Sequence, residues 1–462
     1  MRRAAWAAKA ADLDGVTPMD RDRVIDAVRV TSLLVVVVGH WLMAGVTNDG
    51  GEVRGTNTLT EIPALQPLTW VFQVMPLFFV AGGFANVTVW RRTVRRGYGY
   101  PEFLRNRTIR LLRPVLVFVL IAQSLLGAAW IAGLPADDLD YVASLLGRPL
   151  WFLVIYLLVT ALAPVMAAWH ARAPVMALIV PAGAAAVADV SRLAADGPAY
   201  VNFALVWLAV QQLGVWYADG HLTGMSRRAL GAVLGLALAT LLVLTVPGPY
   251  PVSMIGLPGE TSNMNPPSVC LMLLAVAQTA LIVLVRPRLL RWLGRPGTWA
   301  VVVVLGARAM QLYLWHLAAL VAVVGLTLLF GVGLPAPGTV AWWLTRPVWL
   351  AVLAGVLATL VVPMFRLERF SIAWRAAGAG RRAPERRDVT HSVVVPRLLA
   401  PGVALVMAGL FGYATSGLEY FGSAGEGLAG FPVSWLPSTL CLVGGWTLTS
   451  AARRSFRGTS RR

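Results

Sequence analysis

The 462-residue sequence is short of charge. Asp, Glu, Lys and Arg make up 13% of it, about half of the quarter usual in soluble domains. A soluble fold of this length cannot cover its surface with so few ionic groups. The deficit is filled by repeated apolar runs of about twenty residues, the length that crosses a hydrocarbon core. Lysine is nearly missing, Lys9 being the one lysine among 39 basic residues. Cysteine is limited to Cys270 and Cys441. Both fall in apolar stretches without metal-ligand spacing, which excludes a disulfide framework and a zinc cluster of the usual kind and leaves no metal expected. Met1 to Asp26 holds no apolar core, so it reads as a cytoplasmic lead-in and not a cleavable signal. No inverted repeat of the transporter kind is visible. The isolated GxG strings follow no strand and do not mark a dinucleotide fold.

What is present points to a bilayer. The chain is 58% hydrophobic and its mean hydropathy is +0.70. A net charge of +18 and an isoelectric point of 11.2 would suggest nucleic acid in a soluble protein. Here the arginines sit in short alternate loops, as the positive-inside rule produces, and no nucleic-acid partner is expected. Apolar runs predict helices near 28–46, 68–89, 112–133, 151–168, 174–190, 201–217, 229–247, 268–285, 301–330, 341–363, 397–414 and 433–450. Basic segments follow the second helix (Arg91, Arg92, Arg95, Arg96, Arg105, Arg107, Arg110, Arg113), the eighth (Arg286, Arg288, Arg291, Arg295) and the tenth (Arg366, Arg369, Arg375, Arg381, Arg382, Arg386, Arg387), and the tail ends in Arg461 and Arg462. The intervening loops carry Asp49, Glu52 and Glu61, then Asp137, Asp138 and Asp140, then Glu260, then Glu419 and Glu426. The expected fold is therefore all-α, a polytopic transmembrane helical bundle of about 10 core helices plus a C-terminal helical hairpin. It sits multi-pass in the cell membrane among membrane lipids, with both termini cytoplasmic. The expected segments are a cytoplasmic stretch 1–27, a membrane domain 28–365, a basic linker 366–396, and a hairpin with its tail 397–462.

Ionisable groups inside spans are costly and are functional hypotheses by default. His40 lies within LLVVVVGHWLMAG and His316 within MQLYLWHLAAL. His170, His221 and His391 fall in loops and carry no signal of their own. A histidine buried in a span can equally be a packing residue bonded to a carbonyl. Arg29 precedes His40 by eleven residues, and eleven helical steps turn through about 1100°, close to three full turns. Both side chains then share a face, with Arg29 at the cytoplasmic mouth and His40 roughly 16 Å along the axis, near the midplane. That geometry suits a long ligand with an anionic head and a reactive far end, as acyl-coenzyme A is. Arginine's donor fork matches phosphate, although Arg29 alone also reads as a topological anchor.

Five segments in order carry a family resemblance. RVIDAVRVTSLLVVVVGH has an arginine and a histidine with ten residues between them, and MPLFFVAGGFAN is phenylalanine-rich and ends in Gly-Phe. FLRNRTIRLLRP is a loop motif in which Arg107 with Arg110, or Arg110 with Arg113, fits R-x-x-R. PLWFLVIYLLVTALAP opens on Trp-Phe-Leu, and LYLWH comes late. From about residue 23 to 365 the chain resembles the acyltransferase-3 family of membrane acyltransferases. Many members place a glutamate just after Trp-Phe-Leu, where this chain has Ile155, Tyr156 and Leu157; Tyr156 is the residue at hand for that proton-transfer role.

The resemblance implies acyl transfer, most often of acetyl, from cytoplasmic acyl-CoA (acetyl-CoA) as co-substrate to a hydroxyl of a carbohydrate, lipid or secondary-metabolite acceptor. His40 would deprotonate the hydroxyl or carry the acyl group itself, with His316 and Tyr156 as further catalytic candidates. Arg29, Arg107 and Arg110 would hold the phosphates. The loop PGPYPVSMIGLPGETSNMNPPS offers Asn263 and Asn265 to acceptor hydroxyls, and Trp151 stands near the expected site either as an acceptor contact or as packing. The alternative is a transporter or flippase of a lipid-linked or small-molecule substrate. For that reading Asp189 is the nearest intramembrane carboxylate. A non-catalytic sensor on the same scaffold is a third reading.

Overall fold

Helix forms at each of the twelve expected positions. The computed structural model describes residues 10–15, 17–18, 21–49, 52–193, 197–380, 391–394, 396–418 and 435–456. Arg381, Arg382, Arg386, Arg387, Glu419, Glu426, Arg461 and Arg462 lie outside the described residues, as do the side chains of Asp49, Glu52, Arg366, Arg369, Arg375 and His391. In chain order the elements are α1 (Arg23–Met43), β1 (Ala44–Asp49), β2 (Glu52–Asn57), α2 (Met75–Arg95), α3 (Tyr100–Ile131), α4 (Ala136–Gly147), α5 (Leu150–Arg172), α6 (Pro174–Val190), α7 (Asn202–Ala218) and α8 (Arg227–Thr245). They continue with α9 (Val269–Leu293), α10 (Pro296–Gly306), α11 (Ala309–Leu329), α12 (Val340–Gly380), β3 (His391–Val394), α13 (Pro396–Ser416), α14 (Trp435–Ala451) and β4 (Arg453–Phe456). Among the described residues, ten helical segments are long and apolar enough to cross a membrane. The chain is an all-α polytopic membrane protein.

The boundaries differ from expectation where arginine is concerned. The segment from Arg105 to Arg113, expected as a loop, is the start of α3, and α9 continues through Arg286, Arg288 and Arg291. Arginine is a good helix former, so a basic stretch that marks a membrane boundary need not end the helix. Likewise α12 runs unbroken past residue 366 to Gly380. The single helix expected over 301–330 is two, α10 and α11, with Ala307 and Arg308 between them. The acidic stretch after α1 forms an antiparallel hairpin, Ala44 opposite Asn57. Several helix starts are capped by side chains. Asp22 accepts from Val24 and Ile25 N–H, Ser226 from Ala229, and Ser268 from Cys270.

The described chain forms two units. The first holds residues 1–91, 162–309 and 324–352. Its core gathers Val24, Val28, Ala81, Tyr217, Leu230, Val283, Trp299 and Val302 from α1, α2, α7, α8, α9 and α10. Here the Gly-Gly-Phe of α2 has a packing explanation: a Cβ on Gly83 would stand 2.1 Å from the Gln211 carbonyl oxygen, and one on Gly214 2.0 Å from that of Val80. The α2 and α7 backbones therefore touch, in the small-residue manner of membrane helices. Phe79 stacks on Trp207 at 4.3 Å beside that contact.

The second unit holds residues 92–161, 310–323 and 353–462. The α13–α14 hairpin closes on small residues, since a Cβ on Gly409 or Gly445 would come within 2.7 Å of a facing carbonyl. Gln123 of α3 donates to the Tyr413 hydroxyl at 2.9 Å, and that hydroxyl meets Thr439 Oγ1 at 2.6 Å. At the end of α13, Gly417 takes φ +69°, the left-handed region open to glycine. This brings Leu418 N–H onto the Ala143 carbonyl of α4 at 3.1 Å.

Candidate active site

In the first unit, α1 carries Arg29 and His40 on one uninterrupted helix, so the expected shared face and the roughly 16 Å axial spacing hold. The helix is fixed at its first turn. Besides capping it, Asp22 accepts from the Tyr217 hydroxyl at 3.0 Å and lies 3.4 Å from the Arg286 guanidinium, whose Nε donates to that hydroxyl at 2.8 Å. Arg23 pairs with Asp14 at 2.7 Å and donates to the Leu293 carbonyl, and the guanidiniums of Arg21 and Arg23 lie over the Trp299 ring. Asp22 was not singled out by the sequence reading, although an aspartate directly before an apolar run is a helix-start signal.

Arg29 is held far more loosely. Its recorded partner among the described residues is Asp26, at 3.6 Å, too long for a hydrogen bond, and Asp26 is also engaged by Arg21. The Arg29 side chain is 36% exposed.

His40 lies near the end of its helix and not near its middle. It sits in the last turn of α1, where its carbonyl accepts from Ala44 N–H as the chain turns into the β1–β2 hairpin. The expected helix, 28–46, left six residues beyond the histidine, whereas α1 begins five residues earlier and ends at Met43, three residues beyond it. His40 is half-buried. Its neighbour Trp41 is buried, and the Trp41 carbonyl accepts from Trp349 Nε1 at 3.3 Å.

The second unit brings two of the distant motifs together. Phe152 packs against Trp151, Tyr156 and Tyr313, with ring centroids at 6.3, 5.9 and 5.5 Å. Tyr313 in turn lies 5.9 Å from His316. The Tyr313 hydroxyl donates to the Pro149 carbonyl at 2.6 Å, tying LYLWH to the start of the Trp-Phe-Leu helix. His316 is fully buried, and its Nδ1 faces the Tyr313 carbonyl at 2.5 Å. Facing an acceptor, Nδ1 carries the ring proton. The Tyr313 carbonyl thus fixes which ring nitrogen of His316 is the donor. Tyr156 and Trp151 are half-buried at the edge of this cluster.

The arginines of α3 divide into two pairs. Arg105 donates to the Thr449 and Ser450 carbonyls at 3.0 and 3.2 Å, capping the end of α14, and Arg113 lies over the Trp446 ring. Both serve the C-terminal hairpin. Arg107 lies against Phe103 and Arg110 is exposed. Of the two readings of R-x-x-R, the Arg110 and Arg113 pair includes a residue that lies over α14.

In the first unit again, the loop between α8 and α9 corrects one expectation and gives Asp189 its partners. Asn263 is fully buried; its amide donates to the Pro251 and Ser253 carbonyls, and its oxygen accepts from Ser268. All three bonds lie within the loop, so Asn263 shapes it and does not present its amide to an acceptor. Asn265 is exposed. Asp189, the carboxylate of the transport reading, is 2% exposed and accepts from the Tyr250 hydroxyl and Val269 N–H, with Arg192 at 3.3 Å. Burial and the bond to Asp189 push the Tyr250 phenol well above its usual value, so it stays a donor. Arg192 also donates to the Ser262 and Pro266 carbonyls. Asp189 pins the loop.

A family model described as an acyltransferase domain, that of acyltransferase-3, matches residues 22–365. The match begins on the residue that caps α1 and ends within α12, before the C-terminal hairpin. No curated protein and no solved structure matches the chain. With the family model spanning well over half of its length, the chain belongs to the acyltransferase-3 family and is a membrane acyltransferase.

Proposed function

We propose that the protein moves an acetyl group from cytoplasmic acyl-coenzyme A to a hydroxyl of a carbohydrate, lipid or metabolite acceptor arriving from the opposite face of the cell membrane. The observation that carries this reading is the pairing of Arg29 and His40 on one face of an uninterrupted α1. Their axial spacing of roughly 16 Å equals between four and five extended residue-lengths of about 3.5 Å, a reach suited to an arm built of amide units. Arg29 takes phosphate at one end, and the thioester lies at the level of His40 near the other. Arg107 and Arg110 are the phosphate ligands that the family motif supports.

The acceptor oxygen attacks the thioester carbonyl carbon, forming a C–O bond as the C–S bond breaks. The hydroxyl proton passes to His40 and then to the departing sulfur, leaving ester and free thiol. Alternatively the acyl group rests first on a His40 ring nitrogen, and the acceptor displaces it in a second step. Both routes balance and use the same residue. The His40 position supports an acceptor at the acidic end of the bundle, since the histidine lies in the last turn of α1 beside the hairpin. In this reading the arginine-rich end and both termini are cytoplasmic.

The experiment uses inside-out membrane vesicles supplied with labelled acetyl-coenzyme A, with label followed into lipid, glycan and small-molecule fractions. Label is expected with the wild type and not with His40→Ala at equal expression. Equal labelling by the two proteins would overturn the role of His40. Proton-driven uptake of a solute without consumption of acyl donor would replace the proposal by transport.

A further inference from the structure

One cluster in the first unit belongs to neither of the two motif regions described above. His170 lies in the last turn of α5, and Asp219 and His221 lie just past the end of α7. Gly220 takes φ +79° and is followed by a bond from His221 N–H to the Trp216 carbonyl, the left-handed stop that glycine permits at a helix end. That turn carries His221 back beside the end of α5. One ligand-type atom from each of His170, Asp219 and His221 then lies within 4.8 Å of the others. The sequence conceals this, because His170 is about fifty positions from the Asp-Gly-His turn.

His170 is 3% exposed. Its Nδ1 faces the Gln212 side-chain oxygen at 3.2 Å, so Nδ1 carries the proton. Nε2 is left as a lone pair; it is buried, makes no hydrogen bond among the described residues, and points at Asp219 Oδ2 from 3.2 Å. Two lone pairs do not face each other at that distance unbridged; a proton or a metal ion lies between them, and a third ligand-type atom from His221 within 4.8 Å favours the metal. A tetrahedral zinc with bonds near 2.0–2.1 Å separates its ligand atoms by about 3.3 Å. Gln212 occupies the supporting position usual for a metal-bound histidine, accepting from the ring nitrogen that does not ligate. Arg91 donates to both oxygens of the Asp219 carboxylate and fixes its orientation. Trp216 walls the cluster, 5.2 Å from the His221 ring and 6.2 Å from the His170 ring.

We propose that His170, Asp219 and His221 bind a divalent transition-metal ion of the zinc class, with a fourth position open to water. The ion would tie the end of α5 to the turn between α7 and α8. Both segments lie in the arginine-rich half of the chain's alternation, and the site stands independently of the transfer reaction.

The test uses the full chain in detergent, stripped with chelator and titrated with Zn2+ against a chromophoric indicator. A parallel titration with Co2+ reads ligand geometry from its visible bands. One ion per chain and a raised melting temperature are expected for the wild type. His221→Ala and Asp219→Asn should each lose about tenfold or more in affinity. Because His221 is exposed, His221→Ala should keep the elution profile and circular dichroism of the wild type, which separates loss of the ion from loss of the fold. No ion bound by the wild type, or equal binding by the wild type and His221→Ala, would overturn the site. His170 Nε2 would then carry a proton shared with Asp219.

Discussion

Replacing Arg29 by glutamine separates a ligand-binding arginine from a topological anchor. In the free protein the side chain is 36% exposed and its recorded partner is Asp26 at 3.6 Å. Exposed pairs of that kind contribute about 0–1 kcal/mol, and Asp26 keeps Arg21 when Arg29 is removed. The first turn of α1 is held by Asp22, Arg23, Tyr217 and Arg286 and does not depend on Arg29. The melting temperature of the solubilised protein should therefore barely move. Binding of a phosphate-bearing donor should move strongly, because hydrogen bonds to charged groups contribute about 1.5–3 kcal/mol, or roughly 10- to 150-fold at about 1.4 kcal/mol per decade. In steady-state assays with acetyl-coenzyme A the loss is expected in KM for the donor, with kcat nearly unchanged and KM for the acceptor unaffected. Arg29→Lys should recover part of it, since lysine restores the charge without the planar fork. An unchanged donor KM together with a lowered melting temperature or inverted topology would refute the reasoning and make Arg29 an anchor.

Other expectations follow from the same packing. Gly83→Ala places a methyl 2.1 Å from the Gln211 carbonyl oxygen and should cost about 1–3 kcal/mol, read as a lower melting temperature. Asn263→Ala leaves two carbonyls and a hydroxyl unpaired in the loop and should destabilise by about 2–3 kcal/mol. Asn265→Ala at the exposed neighbouring site should stay within about 0.5 kcal/mol, and a raised acceptor KM in that variant would assign the loop to acceptor binding. The folded-state value of Tyr250 lies above its unfolded value, so its contribution is fully present below about pH 10 and fades as pH rises toward the folded-state value. Tyr250→Phe should remove that alkaline dependence in a pH series of thermal melts.

The bilayer dictates what was legible. Spanning length, apolar content and charge alternation are properties of consecutive residues, so twelve helix positions could be placed from the sequence. Helix ends could not, because arginine both marks a membrane boundary and propagates a helix. Arg105 to Arg113 and Arg286 to Arg291 were therefore read as loops and are helical. The helix starts five residues and ends three residues earlier than expected, which puts His40 in the last turn of α1 beside the hairpin.

The site shows the same division between local and distant information. Arg29 and His40 share one helix, and their common face follows from eleven helical steps. The contact of Tyr313 with Phe152 and Pro149 joins segments some 160 residues apart and has no local signature. His170 with Asp219 and His221 is the same case. Polarity alone also misassigned Asn263, since a polar residue in an apolar chain marks either a ligand or a bond needed to close a loop. Burial with every polar atom matched, as at Asn263, identifies the second. Partial exposure with a long and shared ion pair, as at Arg29, leaves donors available for the first. His316 is fully buried with Nδ1 on its own helix's carbonyl, so mutation is what assigns it. A His316 variant that lost activity while keeping its melting temperature would show that burial alone does not identify a packing residue.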